Sequence, residues 1–351
     1  MAIDQQKLEQ FLGNAVNDLG AGISALLLHI GDKLGLYKAM AEAGPLTPKQ
    51  LAEKTGTAER YVREWLANQA AGGYVTYDAS NGVFSLSEEQ SFCLTNEESP
   101  AFLPGGFESL AAVFASEPKL TAAFRSGQGV GWHEHDSRLF SGTERFFRPG
   151  YNAHLVTSWI PALNGVEAKL RRGARVADVG CGYGASTRVM AAAFPNSRFF
   201  GFDYHGPSIE RARQSAAEAG MAGVTFEPAG AKDFPGRDYD LVTFFDCLHD
   251  MGDPVGAARH VREALKEDGT VMLVEPFAEN RLEENLTPVG RVYYGFSTSV
   301  CTPASLSQEV GLALGAQAGE ARLRGVMEEA GFTRFRRATA TPFNLVLEVR
   351  P

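Results

Sequence analysis

The 351-residue sequence lacks a cationic excess and a cysteine framework. Its 33 Lys and Arg residues stand against 42 Asp and Glu residues, a formal net charge of -9, so the chain as a whole has no electrostatic attraction to nucleic acid or anionic lipid. The four cysteines, Cys93, Cys181, Cys247 and Cys301, are scattered without any C-x-x-C pair, so neither a disulfide framework nor a zinc ribbon is indicated. We expect a reduced, cytoplasmic setting.

The sequence also lacks the usual marks of secretion and membrane insertion. Its first residues, MAIDQQKLEQ, are polar, unlike a signal peptide, and the apolar run ISALLLHIGD is too short to span a bilayer. Hydrophobic residues make up 44% and charged residues 21%, which is ordinary for a globular protein. The length allows two domains, or one large domain with an appendage, and no membrane association is expected.

The N-terminal part has the pattern of a winged helix. Apolar residues at helical spacing predict a helix over 21–40, which Gly44 and Pro45 close. A short helix over 47–54 and a second helix over 58–71 follow, with a turn between them. The segments YVTYD and VFSLS then flank a Ser-Asn-Gly turn, a strong hairpin signal. Helix, turn, helix and hairpin together suggest a DNA-binding module.

Charge weakens the DNA-binding interpretation. Between Pro45 and Gln90, four basic side chains stand against six acidic ones, and the second helix alternates in sign where a major-groove helix should be cationic. A dimerisation and packing module is the favoured interpretation. We expect an N-terminal domain over 1–92, a helical linker and lid over 93–168, and a second domain over 169–351.

The second domain alternates strands with helices from about Arg172, which predicts a doubly wound, mostly parallel sheet. Its first strand runs into VGCGYGA and then a helix, the position at which such sheets bind ligands. Gly180, Gly182 and Gly184 let the backbone approach a ligand closely. The same residues fit G-x-G-x-x-A, so the loop alone does not separate a dinucleotide from S-adenosylmethionine.

Neighbouring features favour S-adenosylmethionine. Asp178 stands two residues before the first glycine, where a dinucleotide site is usually apolar. Asp203 ends the second strand and is placed to bind ribose hydroxyls in either class of site. The fourth strand ends in DCLHD, which brings Asp246, His249 and Asp250 to the same edge. A last helix followed by a strand pair fits a sheet with one reversed strand.

Five successive motifs carry a resemblance to a known family: VADVGCGYGAST, FFGFDYH, the AGAKDFP segment, YDLVTFFDCLHDM and LKEDGTVMLVEP. The block 176–276 resembles a class I S-adenosylmethionine-dependent methyltransferase, which implies an α/β fold with a doubly wound, mostly parallel sheet of seven strands. With its winged-helix half, the chain is similar to small-molecule O-methyltransferases, in which that domain forms a homodimer and closes the substrate pocket. Some bacterial relatives are labelled transcriptional regulators.

The resemblance implies a set of cofactor contacts. The glycine loop would surround the methionine end, Asp203 would hold the ribose and Tyr204 would lie beside adenine. The family often has an acid before the alanine of its adenine segment, which Gly230 replaces here, so backbone groups near Ala231 and Lys232, or Asp233, would take that role. The implied set is Asp178, Gly180, Cys181, Gly182, Gly184, Asp203, Tyr204, Ala231, Lys232 and Asp246, with Arg148 and Tyr151 covering the cofactor.

The resemblance also implies the chemistry. Methyl transfer needs a fixed distance and angle and, for a hydroxyl acceptor, a base. His249 matches the family's base, although Met251 replaces the tryptophan that usually follows. The insertion over 277–316 would form a substrate lid, in which Tyr293, Tyr294 and Phe296 either line an aromatic acceptor pocket or form the core of the lid.

The stretch GWHEHD at 131–136 raises a separate question. On an extended strand, its H-x-H spacing would place both imidazoles on one face, as a zinc site requires. The resemblance instead makes Trp132, His133 and His135 part of a lid over substrate, with no metal. Two alternatives stay open: a regulator that binds DNA and uses the cofactor as a signal, and a metal-assisted O-methyltransferase.

Overall fold

A computed structural model describes residues 3–351 and divides the chain into two compact units. The N-terminal unit extends to Ala112 and also takes in Ser141–Pro149. The C-terminal unit comprises Val113–Phe140 and Gly150–Pro351. The predicted helical linker over 93–168 is therefore shared between the two units, and its division into domains stays a prediction.

The N-terminal unit is mainly helical. Its helices are α1 (Gln5–Lys33), α2 (Leu36–Ala43), α3 (Pro48–Thr55) and α4 (Glu59–Ala71), followed by strands β1 (Thr76–Asp78) and β2 (Val83–Ser85), then α5 (Glu88–Leu94) and α6 (Pro104–Ala115). Strands β1 and β2 pair antiparallel, as the hairpin signal predicts. The hydrophobic core of the N-terminal unit is a cluster that includes Trp65, Tyr37 and Leu66.

The first helix differs from the prediction over 21–40. Helix α1 begins at Gln5, because Asp4 caps it by accepting a hydrogen bond from the Lys7 backbone N–H at 3.2 Å. Helix α1 ends at Lys33. A separate helix, α2, begins at Leu36, directly after Gly35, whose φ of 69° lies in the left-handed region. Apolar spacing runs through both helices, so the pattern alone did not show the break.

Helix α1 is also longer than its apolar core suggests. Among residues 3–351, α1 is the single helix that is long and apolar enough to cross a bilayer, by length and composition alone. The sequence predicts no membrane-spanning helix here, because the apolar run ISALLLHIGD alone is too short to span a bilayer. Most of the large apolar side chains of α1 are exposed, including Phe11, Val16, Leu19 and Ile23.

The C-terminal unit begins with helical segments that lead into the sheet. These are α7 (Glu117–Ser126), a short 3-10 turn at Trp132–Glu134, a π-helical segment at Tyr151–Trp159 and α9 (Val166–Arg172). Helix α8 (Arg138–Gly150) lies between the two segments and mostly belongs to the N-terminal unit.

Strands and helices then alternate, as predicted. In chain order they are β3 (Arg175–Val179), α10 (Ala185–Ala193), β4 (Arg198–Asp203), α11 (Gly206–Glu218), β5 (Val224–Pro228), β6 (Tyr239–Phe245), α12 (Pro254–Ala264), β7 (Leu265–Pro276), α13 (Pro288–Phe296), α14 (Thr302–Leu306), α15 (Gly319–Glu329), β8 (Arg334–Ala340) and β9 (Asn344–Arg350). Short 3-10 turns at Leu248–Asp250 and Leu282–Asn285 and a π-helical turn at Ser297–Cys301 complete the unit.

The sheet has seven strands in the order β5-β4-β3-β6-β7-β9-β8. All neighbouring pairs are parallel except those of β9, which runs antiparallel to β7 and β8. The predicted fold class, with its reversed last strand, is confirmed. Because β3 and β6 are neighbours although β4 and β5 intervene in sequence, the chain order reverses between them, and ligands bind such sheets at that position.

Candidate functional site

The glycine loop after β3 has a left-handed backbone at all three glycines. The φ angles are 74° at Gly180, 52° at Gly182 and 73° at Gly184. A Cβ on Gly180 would come within 2.7 Å of the Cys247 sulfur, and one on Gly184 within 2.5 Å of the Phe226 ring. A Cβ on Gly182 would meet no atom within 4 Å. The outer glycines are therefore needed for packing, and the middle one faces open space where a ligand can approach.

The N–H groups of this loop are largely taken by the protein itself. Those of Gly180 and Cys181 donate to the carbonyl of Phe202 at 2.8 and 3.0 Å. The Gly182 N–H donates to Asp203 Oδ2 at 2.9 Å. A pyrophosphate needs free N–H donors, whereas a cationic ligand needs oxygens. The loop therefore offers no free N–H donor at Gly180, Cys181 or Gly182 to a pyrophosphate.

Asp203 lies at the carboxyl end of β4, beside the loop. Its Oδ1 accepts the His205 N–H at 2.8 Å, and its Oδ2 accepts the Gly182 N–H. Burial raises the pKa of Asp203, and these two hydrogen bonds lower it. Each oxygen keeps further acceptor capacity, so the carboxylate can still receive ribose hydroxyls.

Asp178 is engaged inside the protein. Its carboxylate accepts hydrogen bonds from the hydroxyls of Thr187 at 2.5 Å, Ser186 at 2.7 Å and Thr243 at 2.9 Å. Burial raises its pKa to about 6, against the effect of these bonds. Asp178 thus joins β3 to the start of α10 and to β6, which fixes the loop between them. A direct contact of Asp178 with the cofactor stays a prediction.

The stretch GWHEHD lies next to the end of β4. The ring of Trp132 lies 5.3 Å from Phe140, which lies 4.6 Å from His205. The ring of His133 lies 6.1 Å from that of Tyr204, edge to face. Trp132 and His133 are predicted substrate contacts, and the structure places their rings near the residues that follow Asp203. A contact of either residue with substrate stays a prediction.

The structure contradicts the extended backbone that a metal site at GWHEHD would need. Residues 132–134 form a 3-10 turn instead of an extended strand, so the two imidazoles do not share a face. His135 is buried and its Nδ1 lies 3.1 Å from the Ser116 hydroxyl. Between Ile3 and Pro351, no three His, Cys, Asp or Glu side chains converge as a metal site would require.

His249 lies after β6 in the 3-10 turn Leu248–Asp250 and is only 3% exposed. Its Nδ1 hydrogen-bonds a carboxylate oxygen of Glu275, near the end of β7. Its Nε2 lies 3.3 Å from the Cys301 sulfur. The second oxygen of Glu275 accepts the Leu248 N–H at 3.0 Å, so the carboxylate holds both the turn and the ring.

Charge controls the protonation of His249. Burial lowers its pKa, but the charge of Glu275, together with the interaction with Cys301 and the hydrogen bonds to both residues, outweighs burial and raises the pKa well above its ordinary value. Burial likewise raises the pKa of Asp250 to about 7 and of Asp246 to about 8. This edge therefore holds several groups that change protonation near neutral pH, as sites of proton transfer do.

Asp246 directly follows β6 and has a left-handed φ of 51°, which is strained for a residue with a Cβ. Its carboxyl accepts the Asn344 amide N–H at 3.1 Å and the Tyr151 hydroxyl at 3.5 Å. The Tyr151 ring packs 5.2 Å from Phe245. The structure thus brings Asp246 and Tyr151 together, as their shared assignment to the cofactor site requires.

The insertion packs over the His249 turn. The Gly315 N–H donates to the His249 carbonyl at 3.1 Å, and the Ser305 hydroxyl to the Met251 carbonyl at 2.8 Å. The Val130 N–H, just before GWHEHD, donates to the Pro303 carbonyl at 3.0 Å. The two segments predicted as covers therefore meet each other.

The three aromatic residues of the insertion differ in their surroundings. Tyr293 is buried and its hydroxyl donates to the Phe343 carbonyl at 2.6 Å, so this hydroxyl serves the fold. Tyr294 and Phe296 are half-buried. An acceptor contact by any of the three stays a prediction.

Two predicted cofactor residues carry ion pairs of their own. Lys232 follows Ala231 in a turn, and its Nζ pairs with Asp253 at 3.1 Å and Glu309 at 2.8 Å. Arg148 lies in the N-terminal unit and pairs with Glu97 at 3.0 Å and Glu144 at 3.7 Å. Their roles toward a cofactor stay predictions.

Sequence reasoning missed Glu275 and Cys301. Glu275 lies in VMLVEP, and an acid in an otherwise apolar buried strand was the available signal. Cys301 gave no signal, because nothing in the sequence ties it to a histidine 52 positions away. Asn344 likewise comes from the far end of the chain.

Two protein families match the chain. Residues 170–331 match the methyltransferase domain family, and residues 22–96 match the Rv2258c-like winged HTH domain family. The first range covers the sheet from before β3 to after α15, and the second covers the helices and hairpin of the N-terminal unit.

Curated relatives match part of the chain. The uncharacterized methyltransferase YcgJ of Bacillus subtilis (strain 168) is 30% identical over 113 residues, 32% of this chain and 44% of that protein. The ubiquinone biosynthesis O-methyltransferase of Neisseria meningitidis serogroup C is 34% identical over 106 residues, 28% of this chain and 43% of that protein. The match thus spans less than half the length of these relatives.

Solved structures share the fold over nearly the whole chain. The mitomycin 7-O-methyltransferase MmcR has a TM-score of 0.70 at 21% identity, over 99% of this chain and all of that chain. Human N-acetylserotonin methyltransferase, solved with S-adenosylmethionine, has a TM-score of 0.72 at 16% identity, over 100% of this chain and 99% of that chain. The chain thus combines a methyltransferase domain over residues 170–331 with an Rv2258c-like winged HTH domain over residues 22–96, and it shares the fold of the solved methyltransferases.

Proposed function

We propose that the protein transfers the methyl group of S-adenosylmethionine to a hydroxyl of a small aromatic or similar metabolite, with His249 as the general base. The observation that carries the proposal is the His249–Glu275 pair, which lies at the same sheet edge as the open glycine loop. One element holds a cofactor and the other moves a proton, and hydroxyl methylation needs both.

The residues present fit S-adenosylmethionine. Open space at Gly182 admits a ligand, and Asp203 keeps acceptor capacity for two adjacent hydroxyls. Loop carbonyls and buried carboxylates suit the amino group and the sulfonium, both of which are positive. When bound, the cofactor supplies an electrophilic methyl group for in-line displacement. Gly180 to Gly184, Asp203 and Tyr204 would hold it, with Asp246 and Tyr151 beside it.

The proton step falls to His249. Nδ1 is committed to Glu275, so Nε2, which faces the Cys301 sulfur at 3.3 Å, is the atom left to accept a proton from the acceptor hydroxyl. Glu275 fixes the ring orientation and stabilises the imidazolium that forms. Because the pKa of His249 is raised, the neutral form able to act as base becomes more abundant as pH rises. Glu275 is thus a positioning residue, and it does not touch the acceptor.

Two lines of support favour an aromatic hydroxyl as the acceptor. Tyr151 and Phe245 provide rings beside the site, and Tyr294 and Phe296 lie on the insertion that covers it. NcsB1 from neocarzinostatin biosynthesis, solved with S-adenosylmethionine and 2-hydroxy-5-methyl naphthoic acid, has a TM-score of 0.63 at 17% identity over 96% of this chain and 97% of that chain. Its ligand carries a hydroxyl on an aromatic ring.

The proposal is tested by screening phenolic and acidic acceptors with cofactor labelled at the methyl group. We expect label in a phenolic product, at a rate lower by at least about 100-fold when His249 is replaced by alanine. Label that appears on nitrogen or carbon acceptors only would contradict the role of His249 as a hydroxyl base. Metal analysis of the purified protein tests the metal-assisted alternative, which requires a bound divalent cation.

The N-terminal unit supports a homodimer. Helix α1 exposes Phe11, Val16, Leu19 and Ile23 along its length, far more apolar surface than a solvated helix carries. A bilayer is the weaker occupant, because Asp18 lies near the middle of the apolar stretch, where a charge is costly. Light scattering should give twice the mass of 37.8 kDa, and a monomer would contradict the dimer.

The DNA-binding alternative has little charge to support it. In α4, at the position of a recognition helix, Arg60 pairs with Glu64 and Arg63 with Glu59, each at 2.5 Å. These cations are already balanced within the helix, and phosphate contacts would have to replace the pairs. A gel shift on random DNA at low salt should show no binding.

The four free cysteines support a reducing, cytoplasmic setting.

A further inference from the structure

Cys301 stands in line with the imidazole and carboxylate of the proposed base. Its sulfur lies 3.3 Å from His249 Nε2, and the other ring nitrogen of His249 binds Glu275. Cys301 is 8% exposed and ends the π-helical turn Ser297–Cys301. A thiol, an imidazole and a carboxylate in hydrogen-bonded sequence form the usual arrangement of an activated nucleophile.

The surroundings hold this arrangement in place. Glu275 also accepts the Leu248 N–H, so the carboxylate cannot turn away from the ring without losing a second bond. The π-helical turn Ser297–Cys301 interrupts the helical run between α13 and α14, and turns of this kind are frequent at functional sites. The Ser297 hydroxyl, at the start of that turn, accepts the Ala316 N–H at 3.1 Å. These bonds hold the ring of His249 and the backbone on either side of it, and Cys301 lies within hydrogen-bond distance of Nε2.

The other cysteines lack these partners. Of the four, which all fall within residues 3–351, only Cys301 has an imidazole within hydrogen-bond distance of its sulfur. Cys247 donates to the Val179 carbonyl at 3.2 Å. Burial and nearby carboxylates raise the pKa of both Cys181 and Cys247 well above the ordinary value, which keeps them as inert thiols.

We propose that Cys301 is a nucleophilic thiol, activated by His249 and Glu275, that forms a covalent bond with small soft electrophiles. Neither the methyltransferase family nor its proposed reaction calls for such a nucleophile. A group attached to Cys301 would lie against Nε2, where the acceptor hydroxyl has to bind. If the proposed function holds, capture of an electrophile at this thiol therefore also blocks methyl transfer.

The covalent step balances with a methylthiolating reagent such as methyl methanethiosulfonate. The Cys301 proton passes to His249 Nε2, and the Cys301 sulfur attacks the divalent sulfur of the reagent, which breaks the bond from that sulfur to the sulfonyl group. An S–S bond forms between Cys301 and the methylthio group, and methanesulfinate leaves with the electron pair of the broken bond. No oxidant, reductant or cofactor is needed, and the reagent is small enough for a thiol of low exposure.

The test is a time course of this modification on the full-length protein, quenched and read at each cysteine by peptide mass spectrometry. We expect Cys301 to react at least about ten times faster than Cys181 and Cys247. His249→Asn should slow the reaction of Cys301 by at least about tenfold, because it removes the base, and Glu275→Gln should slow it too. Cys93, in the N-terminal unit, serves as the internal reference, with an unchanged rate in every variant.

Reaction of Cys301 at the rate of Cys181 and Cys247 would overturn the proposal, as would an undiminished rate in both His249→Asn and Glu275→Gln. A variant that unfolds would expose all four thiols together, which the rate at Cys93 and at Cys181 reveals, and the other variant then decides. Labelling requires no turnover. Its failure would leave the proposed methyl transfer intact, and failure of the acceptor screen would leave the reactive thiol intact.

Discussion

The two halves of the sheet edge are built by different means. At the ends of β3 and β4, the carboxylates of Asp178 and Asp203 are held by hydroxyl and backbone donors of the protein, and the loop between them is fixed by its own N–H groups. At the ends of β6 and β7, His249 and Glu275 are buried in contact with each other, and Asp246 is half-buried. The pKa of Asp246 is raised to about 8, against about 6 for Asp178, and the pKa of His249 is raised well above its ordinary value. Hydrogen bonds within the protein hold the first region in one conformation, whereas the second region contains groups suited to proton transfer.

The difference indicates a division of labour. A cofactor-binding region gains from rigidity, because ordering it on binding costs free energy. A proton-transfer region needs groups whose protonation changes near the working pH, and burial next to like and opposite charges provides them. Mutations in the two regions should therefore have separable effects on binding and on turnover.

The largest expected effect is on turnover in His249→Ala. Loss of a general base should reduce kcat by about 10²- to 10⁴-fold, while the affinity for the cofactor stays within about threefold of wild type. Steady-state kinetics with labelled cofactor and a separate cofactor titration measure the two quantities. An unchanged kcat would remove His249 from the mechanism.

Asp203→Ala should affect binding first. Loss of a carboxylate that receives two ribose hydroxyls, and that also holds the Gly182 N–H, should weaken cofactor affinity by about 10- to 100-fold. The control is Asp203→Asn, which keeps one acceptor oxygen and should be intermediate. If Asp203→Ala lowers kcat and leaves the affinity unchanged, the division between the two regions is wrong.

Glu275→Gln should move the pH dependence of turnover. The charge of Glu275 raises the pKa of His249, so its removal lowers that pKa and shifts the rise of kcat to lower pH. The maximal kcat should fall by about tenfold, because the imidazolium loses its partner. The measurement is a pH profile of kcat for both proteins. A profile that falls in height and keeps its midpoint would assign Glu275 a structural role only.

The smallest effect is expected for Lys232→Ala. The Lys232 side chain is partly exposed and occupied by Asp253 and Glu309, and surface pairs of this kind contribute about 0–1 kcal/mol. If adenine is held by the backbone near Ala231, cofactor affinity should change by less than about threefold. A loss of tenfold or more, measured by calorimetry, would show that the side chain itself binds the cofactor.

The sequence allowed much of the fold to be predicted because its patterns are local. Alternating strands and helices, the glycine loop and the final hairpin each depend on neighbouring residues. The break at Gly35 was missed because apolar spacing continues through it. His249 could be selected from its motif, but its partners could not be found, since Glu275 and Cys301 reach it only through strand pairing and the packed insertion.

GWHEHD shows the limit most clearly. The H-x-H spacing predicts a shared face only if the backbone is extended, and the 3-10 turn at Trp132–Glu134 removes that condition. The rings of the stretch approach Tyr204 and His205, which follow Asp203, and its predicted role as a lid over substrate stays a prediction.

The most direct test of the central claim is a calorimetric titration of the wild-type protein with S-adenosylhomocysteine, the product of the cofactor, and with NAD. The glycine loop fits both ligand classes by sequence, but its N–H groups at Gly180, Cys181 and Gly182 are committed to the protein. We predict saturable binding of one S-adenosylhomocysteine per chain and none of NAD. Binding of NAD, or no binding of S-adenosylhomocysteine, would contradict the account.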